Sequence, residues 1–194
     1  MMTMKEQQTN TIYISITFYS PWHCGSGLSA GADVDELVVK DKDGLPYIPG
    51  KTLKGLIREA TENYIAISGA DHLAELLPTA FGTELSGVTG TTGCLHFSNA
   101  TLSETERTAI VGHHAQDYLY NKVTTTAIGD DGVAKDHSLR SMEVVVPCEM
   151  HAIITGVPAE LREAMVKSFG WVKRLGQKRN RGLGRCDIRE EATR

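Results

Sequence analysis

A proline-framed turn that runs straight into an amphipathic helix constrains this chain more than any other feature. Pro46-Tyr47-Ile48-Pro49 stiffens the approach, and from Gly50 onward Leu53, Leu56, Ile57, Ala60 and Tyr64 recur at helical spacing. The pattern predicts a helix from about residue 51 to at least residue 67 with one stripe packed on a core. Lys51, Lys54 and Arg58 stand at i, i+3 and i+7 on the opposite stripe. Free N–H groups and the positive dipole end of a helix start already attract phosphate, so lysines there reinforce an anion site. A polyphosphate or a nucleic-acid backbone is the expected ligand. Gly50-Lys51-Thr52 mimics the end of a nucleotide-binding P-loop, but five residues separate Gly44 from Gly50 where that motif needs four. The prolines and Tyr47 also preclude its small flexible loop.

A second basic segment supports the nucleic-acid reading. Residues 173–185 carry six basic side chains and no acid, whereas the whole chain has 20 Lys+Arg against 24 Asp+Glu and a formal charge of −4. The positive charge is therefore local. Gly176, Lys178, Arg179, Arg181, Gly182, Gly184 and Arg185 form a glycine-punctuated loop in which the backbone can approach a ligand closely and arginine can grip phosphate bidentately. Cys186-Asp187-Ile188 reads as a short closing strand after it.

Between these segments the patterning alternates strand and helix. Ile12, Ile14, Ile16 and Phe18 alternate with Tyr13, Ser15, Thr17 and Tyr19, a half-buried strand that ends in a glycine turn at Gly25 and Gly27. Residues 71–77 continue as a second helical piece, 82–93 is loop by composition, and Leu95-His96-Phe97 is a strand. Residues 112–138, rich in Thr, Asp, Gly and His, predict a protruding loop or hairpin, with the insertion as a whole reaching about residue 140. Val144-Val145-Val146 and residues 150–155 are strand material. Pro158 opens a helix whose buried stripe is Leu161, Ala164, Met165, Ser168 and Val172. This order fits an α+β chain, a ferredoxin-like (RRM-like) βαββαβ domain with elaborated loops and a protruding hairpin.

The length of 194 residues and the hydrophobic content of 41% suit a single domain with insertions over 1–194, with 1–10 as a flexible N-terminus. Cys24, Cys94, Cys148 and Cys186 are scattered without a Cys-x-x-Cys pair, and no run approaches membrane-spanning length. A soluble, cytoplasmic protein with no membrane partner and no organic cofactor is expected.

Pro-Tyr-Ile-Pro-Gly-x-x-Leu-Lys-Gly-x-x-Arg at 46–58 and Gly-x-x-x-Asn-Arg-Gly-Leu-Gly-Arg at 176–185 resemble the two signatures of the RAMP superfamily of CRISPR-associated proteins. His23-Cys24-Gly25-Ser26-Gly27 is similar to the family's His-x-Gly-x-Gly turn, Ala80-Phe81-Gly82 to its Phe-Gly element, and 94–100 to the strand that follows. Residues 124–128, 132–134 and 139–145 resemble the middle of type III backbone subunits, so the likeness runs from about His23 to Ile188. Lys51-Thr52 stands where the family usually has two serines. The resemblance implies an RNA-binding backbone subunit of a type III antiviral effector complex. Its partners would be CRISPR RNA, complementary target RNA, other effector subunits and further copies of itself along the guide. A hairpin within about 118–140 would push into the guide:target duplex.

The same resemblance implies an endoribonuclease that cleaves guide-bound target RNA. Asp35 matches the family's cleavage loop as catalytic residue and ligand to Mg²⁺ or another divalent cation, and Asp33, two residues off that match, is the second candidate catalytic carboxylate. Two alternatives stay open, a metal-independent CRISPR RNA processing endoribonuclease with His23 as acid/base, and a non-catalytic structural subunit. A zinc site drawn from His23, His96, His113 or His114 with Cys24 or Cys94 has no supporting ligand spacing.

Overall fold

A computed structural model describes residues 11–30, 34–83, 90–130, 132, 133, 135 and 138–191. Asp33 and the N-terminal ten residues, both named above, lie outside the described residues. The strands of the central sheet are β1 (Thr11–Phe18), β2 (His96–Phe97), β5 (Glu149–Thr155) and β6 (Cys186–Glu190), in the spatial order β2-β5-β1-β6. Every neighbouring pair is antiparallel. With helix α1 (Gly50–Ser68) after β1 and helix α4 (Ala159–Phe169) after β5, this is the ferredoxin-like βαββαβ arrangement.

Alternation on the strands decides which face the helices cover. Ile12, Ile14, Ile16 and Phe18 of β1 meet Met150, Ala152 and Ile154 of β5 and Cys186 and Ile188 of β6 in one buried cluster, beneath Leu53, Ile57 and Ala60 of α1 and Leu161, Ala164 and Met165 of α4. Leu56 and Tyr64 are only partly buried, and Thr61 and Ile65 complete the α1 stripe. Thr61 and Ser168 are buried hydroxyls that lie 3.1 Å apart, and each also donates to a carbonyl of its own helix. The helix–helix contact therefore leaves neither hydroxyl unsatisfied. Gly50 permits α1 to start against the sheet, because a Cβ there would collide with the Phe97 carbonyl oxygen.

The segment expected as a second helical piece is a 3₁₀ turn (Asp71–Leu76) followed by a short α2 (Leu77–Phe81). Helix α3 (Glu104–Gly112) was not anticipated, although Ser103 and Glu106 form a complete capping box at its start. The expected hairpin is a separate two-stranded sheet of β3 (Tyr120–Thr125) and β4 (Arg140–Val145), paired from Tyr120↔Val145 to Thr125↔Arg140. It begins later than the composition suggested, since α3 and a 3₁₀ turn at Gln116–Leu119 occupy the approach. Trp22 exchanges both backbone hydrogen bonds with Val145, tying the root of the hairpin to the loop that leaves β1.

Candidate nucleic-acid interface

The topology itself brings the two basic motifs and the turn after β1 to one place. Phe18 at the end of β1 pairs with Cys186 at the start of β6, so the loop leaving β1 and the glycine loop entering β6 emerge side by side. Their backbones then bond directly. Gln177 N–H donates to the His23 carbonyl at 2.9 Å and Gly184 N–H to the Pro21 carbonyl at 2.8 Å, while within the glycine loop Leu175 N–H donates to the Gly184 carbonyl at 2.8 Å. Helix α1 starts opposite, with its Gly50 N–H held by Asn99 Oδ1 at 2.9 Å.

A cleft of about 420 Å³ lies between these three segments. Pro49, Lys51 and Thr52 form one wall, Gly176, Gln177 and Arg179 the other, and His23 to Gly25 the floor, with Glu59 as the single acid among the described residues on its lining. Two cations, a helix start and a glycine-bearing backbone thus converge on one concave surface, which suits an anionic chain.

The remaining expected cations do not line this cleft. Lys54 Nζ donates to the Leu95 carbonyl at 3.4 Å. Arg58 pairs with Glu62 through Nε at 2.7 Å and donates from Nη1 to the Gly82 carbonyl at 3.2 Å. Both have turned to the flank of α1 nearer β2 and α2, where open main-chain carbonyls accept them. Lys178 adopts a left-handed backbone with φ of 51° and brings Nζ to 4.0 Å from Glu36. Arg181 is exposed, and the Arg185 guanidinium sits 5.9 Å from the centre of the Tyr19 ring. A second concavity, lined by Tyr19, Lys173, Arg174 and Arg185, opens on that side of the loop.

The loop's glycines serve different ends. Cβ atoms at Gly176 and Gly184 would collide with the carbonyls of His23 and Leu175, and both residues have positive φ, so packing within the protein dictates them. Gly182 also has positive φ, at 89°, but a Cβ there would meet open space.

His23 is fully buried. Its Nδ1 lies 2.6 Å from the Glu143 carbonyl, which can only accept, so Nδ1 carries a proton. Nε2 is buried without a hydrogen-bond partner and stands 4.0 Å from Glu36 Oε2. Cys24 beside it is an unreactive thiol, pushed up to about 12 by burial.

Asp35 is exposed at the foot of the hairpin. Its N–H donates to the Ser141 carbonyl at 3.0 Å, and its Oδ2 accepts from Ser141 N–H at 2.7 Å. Glu143 N–H donates to the Glu36 carbonyl in continuation, so this segment runs along β4 as a third, minimal strand. Among the described residues, three metal-ligating donors that approach within 4.8 Å of one another are Glu149, His151 and Glu191, on the face of the sheet away from the helices. Asp35 is not one of them. Cys94 is an exposed thiol whose Sγ lies 3.3 Å from the Gly156 carbonyl, and all four cysteines are free.

Sequence reasoning gave no role to Glu36, Gln177, Asn99, Glu59 or Glu143, although Gln177, Asn99 and Glu143 lie within segments it singled out. Glu143 accepts from Lys40 Nζ at 2.8 Å and from Val38 N–H at 3.0 Å, fixing the strand-like segment after Asp35. Among the described residues no helix is long and apolar enough to cross a membrane.

No curated protein sequence matches the chain. Among solved structures, it is similar to a chain of "Cryo-EM structure of the Type III-B Cmr-beta bound to cognate target RNA", with a TM-score of 0.70 and 13% identity over 93% of this chain and 96% of that one. A chain of "Type III-B Cmr-beta Cryo-EM structure of the Apo state" matches with a TM-score of 0.69, also at 13% identity, over 95% of this chain and 98% of the other. The model of the RAMP superfamily matches residues 15–187, from within the first strand of the sheet into the last, and the chain belongs to that superfamily.

Proposed function

We propose that the chain is a CRISPR RNA-binding backbone subunit of a type III effector complex that cleaves guide-bound target RNA. The observation that carries this reading is the cleft itself. Lys51 with the α1 start and Arg179 with the glycine loop face one groove, in a fold shared with a chain of a target-bound type III-B assembly. The guide backbone lies in this groove, because phosphate contacts carry no base information and a subunit repeated along any guide must ignore sequence. Complementary target RNA, other effector subunits and further copies of the chain are the partners, and the β3–β4 hairpin is the element that reaches the duplex.

Cleavage is assigned to Asp35. Ser141 N–H orients its carboxylate, and exposure leaves it accessible to a phosphate. Asp35 is the residue that would hold a Mg²⁺ there, a hard cation suited to an oriented carboxylate oxygen. Such an ion supplies Lewis-acid stabilisation of charge building on the scissile phosphate. Buried His23, its Nδ1 spent on the Glu143 carbonyl, is placed to brace the cleft floor rather than to exchange protons with solvent.

The test uses the assembled complex, a labelled complementary target and denaturing gels. Asp35→Asn keeps an oxygen for Ser141 N–H but removes the charge, so assembly and target binding should persist while Mg²⁺-dependent cutting falls by roughly 100-fold or more. Full cutting by this variant, or wild-type cutting that ignores EDTA and vanishes with His23→Ala, would move the chemistry to histidine. Wild-type complex that binds target without cutting it would leave a non-catalytic structural subunit.

A further inference from the structure

We infer that Trp171, in the turn between α4 and the glycine loop, is a stacking platform for a nucleobase of the RNA whose phosphates occupy the adjoining cleft. The inference rests on the guide-binding reading above. The chain has two tryptophans with opposite fates. Trp22 is fully buried and stacks on Phe18 with ring centres 4.7 Å apart, whereas Trp171 is 44% exposed. Exposing so large a ring forfeits burial that a core position would provide.

Trp171 lines a pocket of about 310 Å³ with a composition suited to a base rather than to a core. Leu56, Ala60 and Val172 give it an apolar floor, and Tyr64 meets the indole edge-on at 6.0 Å between ring centres. Asn63 and Asn180 bring side-chain amides, which can donate to or accept from any base edge. Lys173, Arg174 and Arg179 supply positive charge at the rim.

Position makes the pocket part of a larger site. It shares Leu56, Glu59 and Arg179 with the phosphate cleft, so the two concavities are adjoining compartments of one trough along α1. Arg179 is the hinge between them. A strand whose phosphate is held by Lys51 and Arg179 would present its next base to the apolar pocket. Stacking is sequence-tolerant because every base has a π-face, which agrees with a subunit that must bind any guide. The sequence hid this feature, since the second basic segment, residues 173–185, contains no aromatic residue and Trp171 lies just upstream of it.

The experiment is a fluorescence titration of the full chain with oligouridylate and oligoadenylate, alongside filter binding of the same oligonucleotides. Buried Trp22 provides a constant background, so saturable quenching that tracks binding reports on Trp171. Trp171→Phe should abolish the quenching while keeping affinity within about twofold, and Trp171→Ala should weaken binding by roughly five- to 100-fold for both sequences. Comparable melting curves for the Phe variant and wild type would show that fold is not the variable. RNA binding without quenching, at an affinity unchanged in Trp171→Ala, overturns the stacking inference and leaves the guide-binding reading standing. Failure of the wild type to bind either oligonucleotide overturns both. Unchanged RNA affinity with loss of self-association in Trp171→Ala would assign the pocket to a protein partner and also overturn the inference.

Discussion

Lys51 and Arg58 stand seven residues apart on one face of one helix, yet the fold treats them differently. Lys51 opens onto the cleft beside the glycine loop, whereas Arg58 is drawn to Glu62 and the Gly82 carbonyl and Lys54 to the Leu95 carbonyl. The glycine loop divides in the same way. Gly176 and Gly184 are fixed by the protein's own backbone, and Gly182 faces open space. Charge and glycine spacing thus announce a candidate surface, but which members the fold leaves uncommitted depends on main-chain carbonyls that no side-chain pattern reveals.

The largest effect should come from placing a side chain where the loop is closed. Gly184→Val drives a branched Cβ into the Leu175 carbonyl at positive φ, adding overpacking to left-handed strain. A loss of about 3 kcal/mol or more is expected, seen as a fall of roughly 10 °C in the melting temperature by circular dichroism. Gly182→Val meets only the conformational strain and should lose about 1–2 kcal/mol. Its RNA affinity should fall further than its stability does. Equal destabilisation by the two substitutions would erase the distinction between the closed and the open parts of the loop.

A smaller effect separates the cations. Lys51→Ala with Arg179→Ala should weaken single-stranded RNA binding by roughly ten- to 100-fold and flatten the log–log salt slope by about 1.4, two phosphate contacts' worth. Lys54→Ala with Arg58→Ala should change that slope by less than about half as much and instead lower the melting temperature by a few degrees. Filter binding at three salt concentrations with matched melts decides between them. The reverse ranking would show that Lys54 and Arg58 release their carbonyls to bind RNA.

The sheet and its two covering helices were legible because burial imposes a period. Ile12, Ile14, Ile16 and Phe18 had to share a face, and Leu53 and Ile57 had to share another. Helix α3 was missed for want of a strong apolar stripe, although the reciprocal cap of Ser103 and Glu106 was there to be read. At the site, the glycine loop and the α1 start were legible from charge and spacing. Gln177 and Glu36 were not, because their roles arise from contacts with His23 across long stretches of chain. Trp171 belongs to no periodic or charged pattern in the sequence, and only the fold places it beside Leu56 and Ala60 of α1.

Arg107 marks the fully committed end of the same comparison, a cation held by the loop that leads into α1. It binds Asp41 Oδ2 at 2.8 Å and Asp43 Oδ2 at 3.4 Å, while the N–H groups of Asp43 and Leu45 donate to Asp41 Oδ1. Burial alone would raise the Asp41 carboxyl, but the Leu45 N–H, the Arg107 guanidinium and the Asp43 N–H together hold it below its ordinary value. A depressed folded value means that the ionised form stabilises the fold. Its contribution is complete above the unfolded aspartate value of about 3.9 and is withdrawn as pH falls below that toward the folded value. Asp41→Asn keeps an oxygen for the two N–H groups but loses the ion pair, so at pH 7 it should cost about 1 kcal/mol or less. The gap between wild type and variant should narrow steadily in melts taken at successively lower pH below about 3.9. A gap that stays constant across that acid range would place the stabilisation in the turn's hydrogen bonds rather than in the charge.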